Sequence, residues 1–162
     1  MRCIFHCSYT EKKLILLKRT TKNRKNPCKF AAKKIMAKSH SQRFVTLVED
    51  ALTRVDEVTP KEVKEKLDSD DDFKLIDVRE PDEWEAAHIA GAEYLGKGVI
   101  ERDIHEQVSD TDQELVLYCG GGYRSALAAD NLKKMGYTDV KSMKGGFSSW
   151  TEAGLPIVKD EE

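Results

Sequence analysis

Leu115-Val116-Leu117-Tyr118 is an uncharged run that stops at Cys119 and is followed by Gly120-Gly121-Gly122. It is too short for a helix and too apolar to be half exposed. It therefore reads as a strand covered on both faces, as strands of parallel sheets are. The glycines permit a sharp turn, and Tyr123 to Met135 then has strong helical character, with Gly136 placed as a left-handed stop. A buried strand that turns into a helix through glycines is the repeating unit of an α/β fold.

The same alternation recurs along the chain. Phe44, Leu47, Val48, Ala51, Leu52 and Val55 recur at helical spacing and predict an amphipathic helix over 43–54. Thr59-Pro60-Lys61-Glu62 has a capping-box layout that opens a helix running to Leu67, and Asp68 to Asp72 form an acidic turn. Strands are predicted at 73–78, 92–94, 114–118 and 139–143, and helices at 82–87, 98–108, 123–135 and 147–153. This order implies an α/β fold with a mainly parallel sheet and helices on both faces.

Charge divides the chain. Its formal net charge is −2, yet residues 1–38 hold 12 Lys/Arg and one acid, Glu11, while residues 39–162 hold 15 Lys/Arg and 28 acids. Residues 1–38 show no sustained period, so they read as a basic, disordered extension. Three readings of it stay open: a tail for nucleic acid or an acidic membrane, an organelle presequence, or a mis-assigned start with Met36 as the true one. The expected organisation is then a leading helix at 39–54, a domain at 55–158 and an acidic tail at 159–162. The apolar run Leu14 to Leu17 is far too short to span a bilayer. Four cysteines at these spacings do not make a disulfide scaffold. Together these features favour a cytoplasmic protein, with targeting by 1–38 left open, and an acidic domain unsuited to nucleic acid.

Cys119 is the residue on which the chemistry converges. It ends a buried strand, where ligands of open α/β sheets bind. The N–H groups at the start of the next helix lack intrahelical partners and, with the helix dipole, favour an anion. They should favour thiolate over thiol at Cys119. Gly120, Gly121 and Gly122 suit a chain that turns its N–H groups inward, Tyr123 and Ser125 complete the loop, and Arg124 adds a planar cation for an oxyanion.

Cys119-Gly120-Gly121-Gly122-Tyr123-Arg124-Ser125 resembles the active loop of the rhodanese-like family: a cysteine, four residues, an arginine, and often Ser or Thr. Asp77-Val78-Arg79-Glu80, Glu83-Trp84 and His88-Ile89-Ala90-Gly91-Ala92 look like that family's first half. Gly145-Gly146-Phe147 with Trp150, then Gly154-Leu155-Pro156, look like its closing segment. The match covers roughly residues 55–158. The resemblance implies a five-stranded parallel sheet, a persulfide on Cys119, and no metal or organic cofactor. The implied partners are a small anionic donor such as thiosulfate, a thiol or cyanide acceptor, and a sulfur-relay protein. Two positions depart from the family: Ala87 and Ala90 stand where Gly and Pro are usual. Related phosphatases and arsenate reductases have five residues between Cys and Arg, so the four here favour a single sulfur over a phosphoryl group. A partner-dependent persulfide carrier is the remaining alternative to a turnover enzyme.

Other polar residues have structural readings. Asp77 and Arg79, at a strand end, read as a bracing pair, with a role facing the site as the alternative; His88 reads as a satisfied turn or core histidine, with an accessory role as its alternative, and His105 as a solvated one. Trp84, Phe147 and Trp150 read as packing. Cys3, His6 and Cys7 lack the second ligand pair that a metal site needs. Cys3, Cys7 and Cys28 stay open as redox partners of Cys119.

Overall fold

The computed structural model describes residues 40–159. The basic segment 1–38, with Cys3, His6, Cys7, Cys28 and Met36, and the last three acidic residues lie outside the described residues. The elements in order are α1 (Gln42–Leu52), β1 (Asp56–Val58), α2 (Pro60–Ser69), β2 (Lys74–Asp77), α3 (Pro81–Ala86), β3 (His88–Ile89), β4 (Glu93–Tyr94), α4 (Ile100–Gln107), β5 (Leu115–Tyr118), α5 (Tyr123–Lys134), β6 (Val140–Met143), α6 (Gly146–Glu152) and β7 (Ile157–Val158). Five strands form one sheet in the order β1-β6-β5-β2-β4, and every pairing in it is parallel.

The apolar strands feed two cores by simple alternation. Ile76, Val78, Leu115, Leu117 and Cys119 pack on one face with Ile100, Ile104, Ala128 and Leu132 of α4 and α5. Leu75, Val116 and Tyr118 pack on the other with Val63 of α2 and Trp150 of α6. Both sides of β5 are buried, so no residue of that strand is polar in the usual half-exposed pattern. The chain leaves β2 toward one side of β5 and continues from β5 to β6 on the other. The crevice at the C-terminal end of β5 therefore lies where the strand order switches.

Local signals set the helix boundaries. The Thr59 hydroxyl accepts from Glu62 N–H while the Glu62 carboxylate accepts from Thr59 N–H at 2.7 Å, with Pro60 opening α2. Ser41 caps α1 by accepting from Phe44 N–H. Three strands lack any comparable signal. β1 is an edge strand of three residues, two of them exposed acids, and it is held by its register with β6. β3 pairs antiparallel with β7, joining His88 to Val158 and Ile89 to Ile157.

The leading helix is not a separate appendage: α1 packs on α5, and Arg54 just beyond it clasps Asp130 of α5 at 2.7 and 3.0 Å. Hydrogen bonding to Arg54 outweighs burial and, with Lys134, lowers the Asp130 carboxyl to about 2. Its folded pKa lies below the unfolded value of about 3.9, so the clasp contributes fully above that pH and is lost as pH falls toward 2. Asp130→Asn is therefore expected to lower the melting temperature at pH 5 and to flatten its further fall between pH 5 and 2, measured by circular dichroism.

Candidate active site

The segment from Cys119 to Ser125 leaves the central strand and enters α5 at Tyr123. Cys119 is 1% exposed, and its Sγ accepts the Gly122 N–H at 3.2 Å. Gly122 sits at φ +90°, a conformation L side chains rarely adopt, and this turns its N–H toward the sulfur. The Ser125 hydroxyl lies 3.6 Å from Sγ. The N–H groups of Tyr123, Arg124 and Ser125 find no acceptor among the described residues, as the first turn of a helix requires.

The loop's carbonyls are held from outside. Phe147 N–H donates to Cys119 O at 2.7 Å and Ser148 N–H to Gly120 O at 3.0 Å. The opening of α6 thus takes the carbonyls and leaves the N–H groups to face inward. This close approach needs Gly146, where an added Cβ would stand 2.1 Å from Cys119 O.

Arg124 is less solitary than the sequence suggests. The loop has no other cation, but α3 lays two carboxylates against it. Arg124 Nη1 and Nη2 donate to Glu83 at 2.7 and 3.0 Å, and Nη1 reaches Glu80 at 3.3 Å. Burial raises the Glu83 carboxyl pKa, but Arg124 and the Glu80 N–H outweigh it and leave the group below the usual range. The same pairing pushes Arg124 up. One guanidinium thus meets two carboxylates, so the rim of the loop is not cationic.

Asp77 and Arg79 lie at the end of β2 and meet each other, with both side chains buried. Arg79 Nε and Nη2 donate to Asp77, Nη2 also donates to Ala87 O at 2.7 Å, and the guanidinium lies 4.2 Å from the Phe147 ring. The pair thereby braces the residue whose N–H holds Cys119 O. His88 stacks on Trp84 with ring centroids 3.7 Å apart and sets Nδ1 3.2 Å from Trp84 O; no hydrogen bond links it to the loop among the described residues. On the outer side, Tyr123 packs against His40 and Phe44. A cavity of about 180 Å³ there is lined by Val48, Leu52, Glu57, Gly121, Gly122 and Tyr123. A larger one, about 510 Å³, lies by Phe73 at the N-terminal end of β2 and does not include the loop. Among the described residues, no three His, Cys, Asp or Glu side chains cluster as metal ligands, and no helix is long and apolar enough to cross a membrane.

Residues 59–153 match the rhodanese-like domain family. The chain belongs to that family. It is 34% identical over 107 residues to a sulfurtransferase of Allochromatium vinosum, covering 66% of this chain and 98% of that protein. It is 38% identical over 99 residues to a probable adenylyltransferase/sulfurtransferase, MoeZ, of Mycobacterium tuberculosis, covering 61% of this chain and 25% of that protein. The polysulfide-sulfur transferase homodimer of Wolinella succinogenes aligns with a TM-score of 0.64 at 28% identity, over 74% of this chain and 90% of that one. The chain spans 25% to 60% of the length of several curated relatives that it matches.

Within this rhodanese-like domain the two departures from the family pattern have ordinary surroundings. Ala87 has φ −175° and ψ 144°, extended backbone that any residue adopts, and Ala90 precedes Gly91, which carries the positive φ of that turn. Two residues near the loop escape a reading of the sequence. Glu83 was visible as part of a motif, but its pairing with Arg124 depends on α3 folding back over the loop. Ser142 lies on β6, and its signal was a polar residue at an inward position of a buried strand.

Proposed function

We propose that this chain is a sulfurtransferase that carries a sulfane sulfur on Cys119. The observation that carries this reading is the buried sulfur at the end of the central strand, met by the Gly122 N–H and followed after four residues by Arg124. In the first step the Cys119 thiolate attacks the outer sulfur of a donor such as thiosulfate. The S–S bond of the donor breaks and sulfite leaves with the electron pair. In the second step a thiol or cyanide takes the terminal sulfur, and the Cys119 thiolate returns. Loop N–H groups without acceptors hold the charge of the persulfide. The short loop argues for sulfur over phosphoryl transfer.

Thiocyanate formation from thiosulfate and cyanide tests the reading. Wild type is expected to turn over and Cys119→Ser to show none; turnover by the serine variant would show another nucleophile. Arg124→Ala is expected to lower kcat/KM for thiosulfate by about tenfold or more.

The carboxylates on Arg124 support a second reading, in which a partner protein delivers the sulfur and thiosulfate is a poor donor. Glu83→Gln would remove the nearer of the two carboxylates and leave Glu80 on the guanidinium. It is expected to raise kcat/KM for thiosulfate roughly fivefold, the kinetic equivalent of about 1 kcal/mol. Unchanged kinetics in that variant would remove Glu83 from donor selection.

A further inference from the structure

Behind the loop lies a hydroxyl that the proposed chemistry does not yet use. Ser142 is fully buried on β6, in register with Leu117 of β5 on one side and Glu57 of β1 on the other, and two residues after the buried Val140. A buried hydroxyl is costly without a partner. Among the described residues the one hydrogen bond of the Ser142 side chain runs to Ser125 Oγ, at 2.9 Å. Ser125 is also fully buried, and its oxygen lies 3.1 Å from Gly122 O and 3.6 Å from Cys119 Sγ. Three buried groups therefore form a chain from β6 to the sulfur.

Counting protons gives the chain a direction. Ser125 has one hydroxyl proton and three neighbours able to accept it. If Ser142 donates to Ser125 Oγ, the Ser125 proton is left to Gly122 O or Sγ. Gly122 O also accepts the Ala126 N–H at 3.2 Å, so it keeps a partner when Ser125 turns away. An anionic sulfur draws the proton more strongly than a neutral carbonyl does.

We propose that Ser142 is a positioning residue for the sulfur of Cys119, acting by directing the Ser125 hydroxyl onto Sγ whenever that sulfur carries negative charge. This rests on Cys119 being the sulfur-carrying nucleophile. The hydroxyl matters most in the off-loading step. There the acceptor's electron pair forms a bond to the terminal sulfur, the S–S bond to Cys119 breaks, and its electron pair comes to rest on Sγ. No proton is transferred in that step; the Ser125 proton turns from Gly122 O to Sγ.

The charged groups around the loop are Arg124, with Glu83 and Glu80 of α3 against it, the Asp77–Arg79 pair at the end of β2, and Glu57 beside the Gly121–Gly122 cavity. The variants below alter none of them. The pH dependence of Cys119 alkylation by iodoacetamide reports the thiolate directly and needs no sulfur donor. In Ser142→Ala the midpoint is expected to rise by about 0.5–1 pH unit, the loss of one ordinary hydrogen bond. Ser125→Ala should move it at least as far, and the double variant no further than Ser125→Ala alone. Ser142→Thr keeps the hydroxyl and should hold the wild-type midpoint. A wild-type midpoint in Ser142→Ala, additive shifts in the double variant, or a Thr variant that moves with the Ala variant would overturn the proposal. Failure of sulfur loading with an intact midpoint series would instead contradict the sulfurtransferase reading.

Discussion

Gly146→Ala is expected to abolish persulfide formation on Cys119 and to lower stability by about 3 kcal/mol. Gly146 has φ +55°, and the Cβ added there would meet Cys119 O at 2.1 Å and Gly122 N at 3.0 Å. Both contacts are to backbone, so no side chain can rotate away. Relief requires α6 to withdraw, which breaks the Phe147 and Ser148 hydrogen bonds to the loop carbonyls. Released carbonyls are then free to turn toward the sulfur and displace the N–H groups that face it. Thermal unfolding should show a drop of roughly 10 °C for a domain of this size. Alanine at Gly98, where an added Cβ meets nothing within 4 Å and the backbone is not left-handed, is the control without clash or strain; it should keep persulfide formation and leave stability unchanged or slightly raised.

Asp77→Ala is expected to cost about 3–5 kcal/mol, because it leaves the Arg79 guanidinium buried without its counter-charge. Asp77 is fully buried and Arg79 is 4% exposed, so water cannot replace the lost carboxylate. Asp77 also accepts the Arg79 backbone N–H at 2.9 Å, and that donor would be orphaned too. The remaining partners, Ala87 O and the Phe147 ring, are neutral. Replacing both residues, as Asp77→Ala with Arg79→Met, should recover much of the loss by removing the buried charge. Urea unfolding of the two variants measures this; equal destabilisation in both would show that the pair serves as packing rather than as charge.

Much of the architecture can be read from the order of residues because the buried strands announce themselves. Leu115 to Tyr118 and Leu75, Ile76 and Val78 fill two cores as near-continuous apolar runs, broken only by the paired Asp77, and Thr59-Pro60-Lys61-Glu62 carries its own cap. β1, β3 and β7 are different. Asp56-Glu57-Val58 is a strand because β6 lies beside it, and His88-Ile89 because Ile157-Val158 returns to it from far along the chain. Such pairing leaves no local pattern. The site divides in the same way. Cys119, the glycines and Arg124 are contiguous, and their chemistry follows from strand, turn and helix start. The carboxylates on Arg124 and the hydroxyl behind Ser125 come from α3 and β6, so their meaning appears once those elements are placed. The Asp77–Arg79 pair is legible as a pair, but its hold on Phe147, and through it on Cys119 O, is not.

Whether Cys119 carries sulfur is read from the mass of the intact full-length protein after incubation with thiosulfate, and in parallel with polysulfide. One added sulfur atom is expected, mapped to the peptide containing Cys119, absent from Cys119→Ser and removed by cyanide. Cys119 left unmodified by both donors, or the added sulfur found on another cysteine, would contradict Cys119 as the carrier.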